Sequence, residues 1–196
     1  KTYTYGAGRG QSEAVSKTDY LDGFQYTNDV LSFVPTSEGY YDFVQNKYIY
    51  NYTDHLGNVR LSYFKGSNGA EVLEENNYYP FGMKHEFYNS QIMQYNTVTV
   101  DDDPHVVLEQ IANNVGDGRN MYKYNGKEFQ DELGLNMYDY GARNYDAALG
   151  RWMNVDPLAS IYSSFTPYAY VVNNPMYFID PDGMRIRNGD QEKKNL

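Results

Sequence analysis

The chain has 196 residues, a net charge of −10 at neutral pH and no cysteine. This length is enough for one domain with a modest core, and the lack of cysteine excludes a disulfide scaffold, thiol catalysis and a cysteine-ligated metal. Because an acidic chain repels phosphate backbones, we expect no nucleic-acid partner. No run of about 18 apolar residues occurs, so we also expect no membrane span.

Tyrosine and glycine give the composition its character, with 23 tyrosines and 17 glycines. Tyrosine suits half-buried pleated surfaces, where the ring packs and the hydroxyl finds water or a hydrogen-bond partner. Glycine permits the tight turns between such strands. The composition therefore predicts many short strands joined by turns.

From Thr18 onward the sequence alternates between strand-like and turn-like segments, after a lead-in segment over 1–17 that is weakly patterned. The pair Asp22-Gly23 predicts a hairpin turn, because both residues tolerate left-handed backbone. The next apolar run predicts a strand ended by Pro35. Further strands and hairpin turns are predicted at Tyr40–Val44, Tyr48–Tyr52, Ser67–Gly69 and Asn76–Gly82.

One segment departs from this alternation and predicts a short helix over about 103–115. Asp103 can cap a helix, Pro104 suits the first helical position, and Gly116 can end it. The apolar residues that share one helical face are Val107, Leu108, Ile111 and Val115.

Four ordered motifs fill the last third of the chain: Met121–Glu128, Gly134–Arg143, Asn144–Pro157 and Asn173–Met184. Together they resemble the C-terminal RHS repeat-associated core of Rhs/YD-repeat proteins. The resemblance covers residues 18–184, and it leaves a polar tail over 185–196.

The resemblance implies an all-β fold, an array of antiparallel tyrosine-rich β-hairpins with one or two short helices. It implies the core or plug of a bacterial shell, secreted or at the cell surface, that encapsulates or presents a C-terminal toxin. The expected partners are an upstream YD-repeat shell or another chain that covers strand edges. No cofactor is implied, and His55, His85 and His105 are too scattered to predict a metal site.

The resemblance also implies an intramolecular aspartyl protease whose two carboxylates are Asp156 and Asp180. The bond cut would join Met184 to Arg185, once per chain. Such chemistry needs two carboxyl groups close enough to share a proton, one acting as base and the other as acid.

Each of these residues also has a purely structural interpretation. Asp156 could cap a helical turn, and Asp180 opens an Asp-Pro-Asp-Gly segment that suits a β-turn. Arg151 is predicted to support the carboxylates or to pair with a surface acid, and for Arg143 the surface pair is favoured.

Two non-catalytic functions remain open at this stage. The chain could be a secreted or cell-surface structural module in which these residues only build the plug. Alternatively, exposed tyrosines could form a face that binds carbohydrate or a protein partner.

Overall fold

The computed structural model describes residues 2–5, 14–85, 93–100, 103–110 and 121–189. Within these ranges the chain forms sixteen strands, and antiparallel pairing joins them, as it does between Thr2–Tyr5 and Ala14–Leu21 and between Val30–Thr36 and Gly39–Asp42. The prediction of an all-β fold built from antiparallel hairpins is therefore confirmed.

The largest sheet has eight strands, each hydrogen-bonded to the next along the chain. Its strands are β1 (Thr2–Tyr5), β2 (Ala14–Leu21), β3 (Phe24–Thr27), β4 (Val30–Thr36), β5 (Gly39–Asp42), β6 (Lys47–Thr53), β7 (Val59–Gly66) and β8 (Gly69–Glu75).

Three smaller sheets follow, with two, four and two strands. Their strands are β9 (Met93–Val100), β10 (Asp103–Gln110), β11 (Glu128–Gln130), β12 (Met137–Asp139), β13 (Asn144–Asp146), β14 (Arg151–Trp152), β15 (Phe178–Ile179) and β16 (Arg187–Asn188). Single turns of 3₁₀ helix lie at Tyr124–Gly126, Glu132–Gly134 and Val171–Asn173.

The turn signals read from the sequence locate the first hairpins. Asp22 and Gly23 join β2 to β3 with φ of 48° and 85°, the left-handed backbone that such turns require. Pro35, in contrast, does not end its strand. It lies inside β4 opposite Tyr40, beyond the residues of β4 that pair with β3, so its missing N–H costs no bond on that side.

The predicted helix over 103–115 was wrong where the structure describes it. Asp103–Gln110 is strand β10, which pairs with β9 from Asp103 opposite Val100 to Gln110 opposite Met93. The β-branched residues of both strands favour this pairing, and the pairing satisfies backbone groups on both segments. Residues 111–115 lie outside the described ranges.

The chain divides into two compact units. The first consists of Lys1–Tyr50, Leu61–Glu75 and Phe87–Arg119, as far as these ranges are described. The second consists of Asn51–Arg60, Asn76–Glu86 and Asn120–Leu196, again within the described residues. The second unit carries every residue predicted to be catalytic.

The core of the second unit is built mainly from tyrosine. Its buried members are Tyr124, Tyr138, Tyr140, Tyr145, Ala147, Trp152, Tyr170 and Val171. Most rings in this core meet edge-on or tilted, an arrangement that aromatic pairs prefer, as Tyr140 and Trp152 do at 5.0 Å between centroids. The hydroxyls must find partners, because an unpaired buried donor is costly.

Three of these hydroxyls bind consecutive carbonyls of the turn at residues 80–82. The donors Tyr124, Tyr145 and Tyr138 lie 3.0, 2.7 and 3.2 Å from the carbonyl oxygens of Pro80, Phe81 and Gly82. Burial raises the pKa of Tyr145 well above its usual value, so its hydroxyl keeps its proton and remains a donor. The tyrosine core thereby fixes a turn that lies more than forty residues earlier in the chain.

Candidate active site

The residues predicted to act on the peptide bond lie at the ends of short strands. Asp180 follows β15, and β16 returns antiparallel beside β15, so residues 180–186 form the loop of a hairpin. Asp156 lies in the segment after β14. Arg143 directly precedes β13. The loop that holds the bond between Met184 and Arg185 is therefore short and closed by a strand pair.

Arg143 bridges the two predicted catalytic carboxylates. Its Nη2 lies 3.0 Å from Asp180 Oδ2 and 3.2 Å from Asp156 Oδ2. The sum of these distances limits the separation of the two carboxylate oxygens to about 6 Å. All three side chains are buried, with 2%, 1% and 9% of their area exposed for Arg143, Asp180 and Asp156. The structure thus brings Asp156 and Asp180 together around one positive charge.

The remaining contacts of Arg143 fix its orientation. Nε donates to the carbonyl of Gly183, and Nη1 donates to the carbonyl of Pro167 at 3.4 Å. The guanidinium lies over the ring of Trp152, 4.1 Å from its centroid. A buried guanidinium is tolerated only when its charge and its N–H groups are matched in this way.

Each carboxylate uses its second oxygen to hold local backbone. Asp156 Oδ1 accepts the Leu158 N–H at 2.7 Å, and Asp180 Oδ1 accepts the Met184 N–H at 2.9 Å. These bonds are the capping and turn roles that the sequence also suggests. Asp156 and Asp180 therefore each hold local backbone through one oxygen and contact Arg143 through the other.

Asp180 is the carboxyl that retains a proton more readily than usual. Burial raises the pKa of Asp180 to about 6, while the Arg143 charge opposes the shift and a hydrogen bond with the side chain of Asp182 adds to it. One guanidinium balances one carboxylate, so a proton on Asp180 leaves the buried group of three without net charge.

The peptide bond predicted to break is held by hydrogen bonds along its loop. Asp182 Oδ1 accepts the N–H of Met184 at 3.0 Å and the N–H of Arg185 at 3.1 Å. The N–H of Ile186 donates to the hydroxyl of Tyr162 at 3.2 Å. Asp182 was absent from the predicted site. The available signal was its position two and three residues before backbone N–H groups, from which an aspartate side chain can accept hydrogen bonds.

A cavity borders the carboxylate of Asp156. Its volume, counted as space open to the centre of a water molecule, is about 10 Å³, which is close to the room that one water needs. Arg143 and Asp156 line the cavity together with Tyr162 and Ile186. Ile186 follows Arg185 directly in the chain, so the cavity touches the loop that carries the predicted bond.

The sequence left two roles open for Arg151, support of the carboxylates or a surface ion pair, and favoured the surface pair for Arg143. Arg151 is exposed in β14, opposite Asp146 in the strand register. Arg143, for which a surface ion pair was favoured, is the arginine between Asp156 and Asp180. The error arose because the partners of Arg143 are distant in sequence.

No group of three or more metal-ligating side chains occurs among the residues that the structure describes. His55 Nε2 instead lies 3.3 Å from the carbonyl oxygen of Met176. In the same residues, no helix has the length and apolar character needed to cross a membrane.

No protein-family model matches the chain. Salivary gland surface protein 1 of Aedes aegypti is 31% identical over 157 residues, which are 80% of this chain and 4% of that protein. Toxin subunits YenC2 and YenC1 of Yersinia entomophaga are 44% identical over 62 residues and 43% identical over 63 residues. Each match covers 32% of this chain and 6% of the toxin subunit.

Solved structures share the fold over most of the chain. The crystal structure of TcdB2-TccC3 matches 93% of this chain with a TM-score of 0.60 at 20% identity. The chain is an Rhs/YD-repeat-related protein. TcdB2-TccC3 without its hypervariable C-terminal region matches 87% of the chain with a TM-score of 0.55 at 21% identity. This Rhs/YD-repeat-related chain spans 8% of either solved chain, and less of the curated relatives.

Proposed function

We propose that the chain is the C-terminal core of an Rhs/YD-repeat shell that encapsulates or presents a C-terminal effector, secreted or at a bacterial cell surface. The similarity to two bacterial toxin subunits and the fold shared with TcdB2-TccC3 support this role. Among the described residues, the outer strands β1 and β8 of the eight-stranded sheet have one sheet neighbour each. Upstream shell strands or another chain would cover such edges.

We further propose that this core cuts its own chain between Met184 and Arg185. The observation that carries the proposal is the pair of contacts from one nitrogen of Arg143 to Asp156 and Asp180. Two buried carboxylates that share a single guanidinium favour a state with one proton between them. That state supplies one acid and one base in the same place, which hydrolysis of an amide requires.

In the proposed reaction, ionised Asp156 removes a proton from a water in the adjoining cavity. The resulting hydroxide adds to the carbonyl carbon of Met184, and protonated Asp180 polarises the carbonyl oxygen. The raised pKa of Asp180, caused mainly by burial, suits the acid role. Asp156 borders the cavity and so suits the base role.

Tethering removes the need for substrate binding. The N–H of Met184 already donates to Asp180 Oδ1 at 2.9 Å, so the carboxyl and the bond belong to one short loop. Holding reacting groups together in this way can replace about 7–11 kcal/mol of activation free energy in well-aligned cases. The reaction would run once per chain.

The test uses the full chain with a folded reporter domain added after Leu196. We expect a C-terminal fragment whose first residue is Arg185, identified by intact mass and N-terminal sequencing. Asp156→Asn and Asp180→Asn should abolish the fragment, because neither amide can exchange the required proton.

Asp146→Asn is the matched control for these variants. Asp146 Oδ1 accepts the N–H of Ala148 at 2.9 Å, the same local bond that Asp156 makes to Leu158. The control should cut normally. Fragment release from both site variants at the unmodified rate would disprove the paired-carboxylate mechanism.

A non-catalytic plug is the alternative, and the capping bonds favour it. Asp156 and Asp180 both stabilise loop backbone, which a structural module needs without any chemistry. On this alternative the extended chain stays intact, and the asparagine variants change only the free energy of unfolding.

A further inference from the structure

We propose that Asp182 is a further catalytic residue, which delivers the proton to the leaving nitrogen of Arg185. This inference rests on the proposed self-cleavage and adds a third carboxyl to it. Hydrolysis of an amide cannot finish until the nitrogen gains a proton, because an amide anion is too poor a leaving group. Within the described residues, the side chains of Asp156 and Asp180 bond to Arg143 and to the N–H groups of Leu158 and Met184, and not to that nitrogen.

Asp182 has the contact that this step needs. Its Oδ1 lies 3.1 Å from the nitrogen of Arg185, within the reach of a general acid or base. The same oxygen holds the N–H of Met184 at 3.0 Å, so it grips both amides that flank the Met184 carbonyl. Asp182 itself is anchored, because its carbonyl accepts the N–H of Ala142 at 3.2 Å.

Asp182 is also linked to the proposed acid. Interaction between the Asp180 and Asp182 side chains, which belong to one short loop and both accept the N–H of Met184, contributes to raising the pKa of Asp180 and to lowering the pKa of Asp182. For Asp182, burial opposes the shift, and backbone N–H donors led by that of Arg185 produce it. Of the two carboxyls, Asp180 therefore holds a proton more readily, and the proposed relay uses Asp182 as the ionised partner that takes this proton up transiently.

Attack leaves the water proton on Asp156, the proton of Asp180 on the former carbonyl oxygen, and a tetrahedral carbon at Met184. One hydroxyl of that carbon then gives its proton to Asp180, Asp180 passes that proton to Asp182, and Asp182 passes it to the Arg185 nitrogen, while Asp156 keeps the proton taken from water. The carbon–nitrogen bond breaks, giving a carboxylic acid at Met184 and a free amine at Arg185.

Three aspartates in the described residues make the same pair of local hydrogen bonds. Two of them lie outside the proposed site, so they show what these bonds do for the fold alone. Asp42 and Asp146 each accept, through Oδ1, the N–H groups two and three residues ahead, as Asp182 does. Asparagine makes such a turn as well as aspartate does. Asp182→Asn should therefore preserve the loop and remove only the ability to transfer a proton.

The experiment measures the rate of fragment release from the extended chain for wild type, Asp182→Asn, Asp182→Glu and Asp182→Ala, with Asp146→Asn as control. We expect Asp182→Asn to slow release by about 10²-fold or more, the usual effect of losing a general acid. Asp182→Glu should retain part of the rate. Added formate should accelerate Asp182→Ala and leave Asp182→Asn unchanged, because a small acid can occupy the space of the deleted carboxyl.

The outcomes separate this inference from the proposal it extends. No Arg185 fragment from the wild-type chain overturns the self-cleavage and the relay together. Normal or faster release from Asp182→Asn, in a chain that cuts, overturns the relay alone. Slow Asp182→Ala without formate rescue, alongside an equally slow Asp182→Glu, would also reject proton delivery and leave a steric role.

Discussion

The carbonyl of Gly183 accepts a hydrogen bond from Nε of Arg143, forty residues earlier in the chain. Gly183 has φ of +74°, and a Cβ placed there would lie 3.0 Å from the backbone nitrogen of Arg143 and 3.3 Å from Cβ of Tyr140. The loop that carries the proposed cleavage bond can therefore approach the arginine only because position 183 has no side chain.

Gly183→Ala should destabilise the fold through both backbone strain and this close approach. Gly134→Ala is the matched control, because Gly134 has nearly the same φ, +76°, with no heavy atom near its missing Cβ. Left-handed backbone costs alanine about 1–2 kcal/mol, so the control measures this part alone. We expect Gly183→Ala to lose at least about 1 kcal/mol more in urea unfolding, since overpacking adds that much. Equal losses would show that the loop moves freely away from Arg143.

Removal of the Arg143 charge should be among the most damaging single changes in the second unit. Arg143→Met keeps the length of the side chain but leaves two buried carboxylates without a cation. Breaking a buried ion pair costs about 3–5 kcal/mol. Arg151→Met, at an exposed position, should cost less than about 0.5 kcal/mol. Chemical denaturation of both variants tests this, and similar losses would contradict a special role for Arg143.

The free energy of unfolding should depend on pH because the pKa of Asp180 is raised in the folded state. Its pKa is about 6 in the folded state because of burial, against about 3.9 for an unfolded aspartate. The folded state therefore binds this proton more tightly, and the stabilisation is complete below about pH 4 and is lost as pH rises through about 6.

Asp180→Asn has no such proton. The unfolding free energy of wild type minus that of Asp180→Asn should fall by up to about 3 kcal/mol between pH 4 and 7. Urea titrations at several pH values provide the measurement. A difference that stays level or rises with pH would mean that Asp180 is ionised throughout.

The hydroxyl of Tyr145 should add to the stability that the packing of its ring already gives the core. Tyr145→Phe leaves the carbonyl of Phe81 buried without the donor now at 2.7 Å. Loss of one partner of a buried hydrogen bond costs about 1–3 kcal/mol. Tyr52→Phe, at an exposed tyrosine, should change stability by less than about 0.5 kcal/mol. Thermal unfolding of the two variants measures both losses of stability. A loss for Tyr52→Phe as large as that for Tyr145→Phe would contradict the prediction.

Local signals in the sequence were sufficient for several strands of the eight-stranded sheet and for several turns. Asp22-Gly23 dictates a left-handed turn by itself, so the first hairpin could be located without knowledge of any distant residue. The segment from Asp103 was different. Its apolar residues fit a helical face as well as a strand, and the choice is made by pairing with Met93–Val100, which no local pattern shows.

The candidate site divides in the same way. Asp156 and Asp180 were predicted from a family resemblance, and the structure brings them to one guanidinium while their catalytic role stays a prediction. Arg143 was placed on the surface because an arginine beside a turn usually lies in solvent. Its burial depends on carbonyls and carboxylates that the fold gathers from Asp156, Pro167 and the 180–183 loop.

The hydrogen bonds from core tyrosines to the carbonyls of residues 80–82 bear on which part of the chain can change without disturbing the site. The bonds join a segment ending near residue 85 to one beginning near residue 121, so both flanks are held by the second unit itself. The segment between residues 85 and 121 is therefore not needed to hold these two parts of the chain together. We therefore expect changes of length or sequence in that segment to leave the site proposed to cut the peptide bond in place.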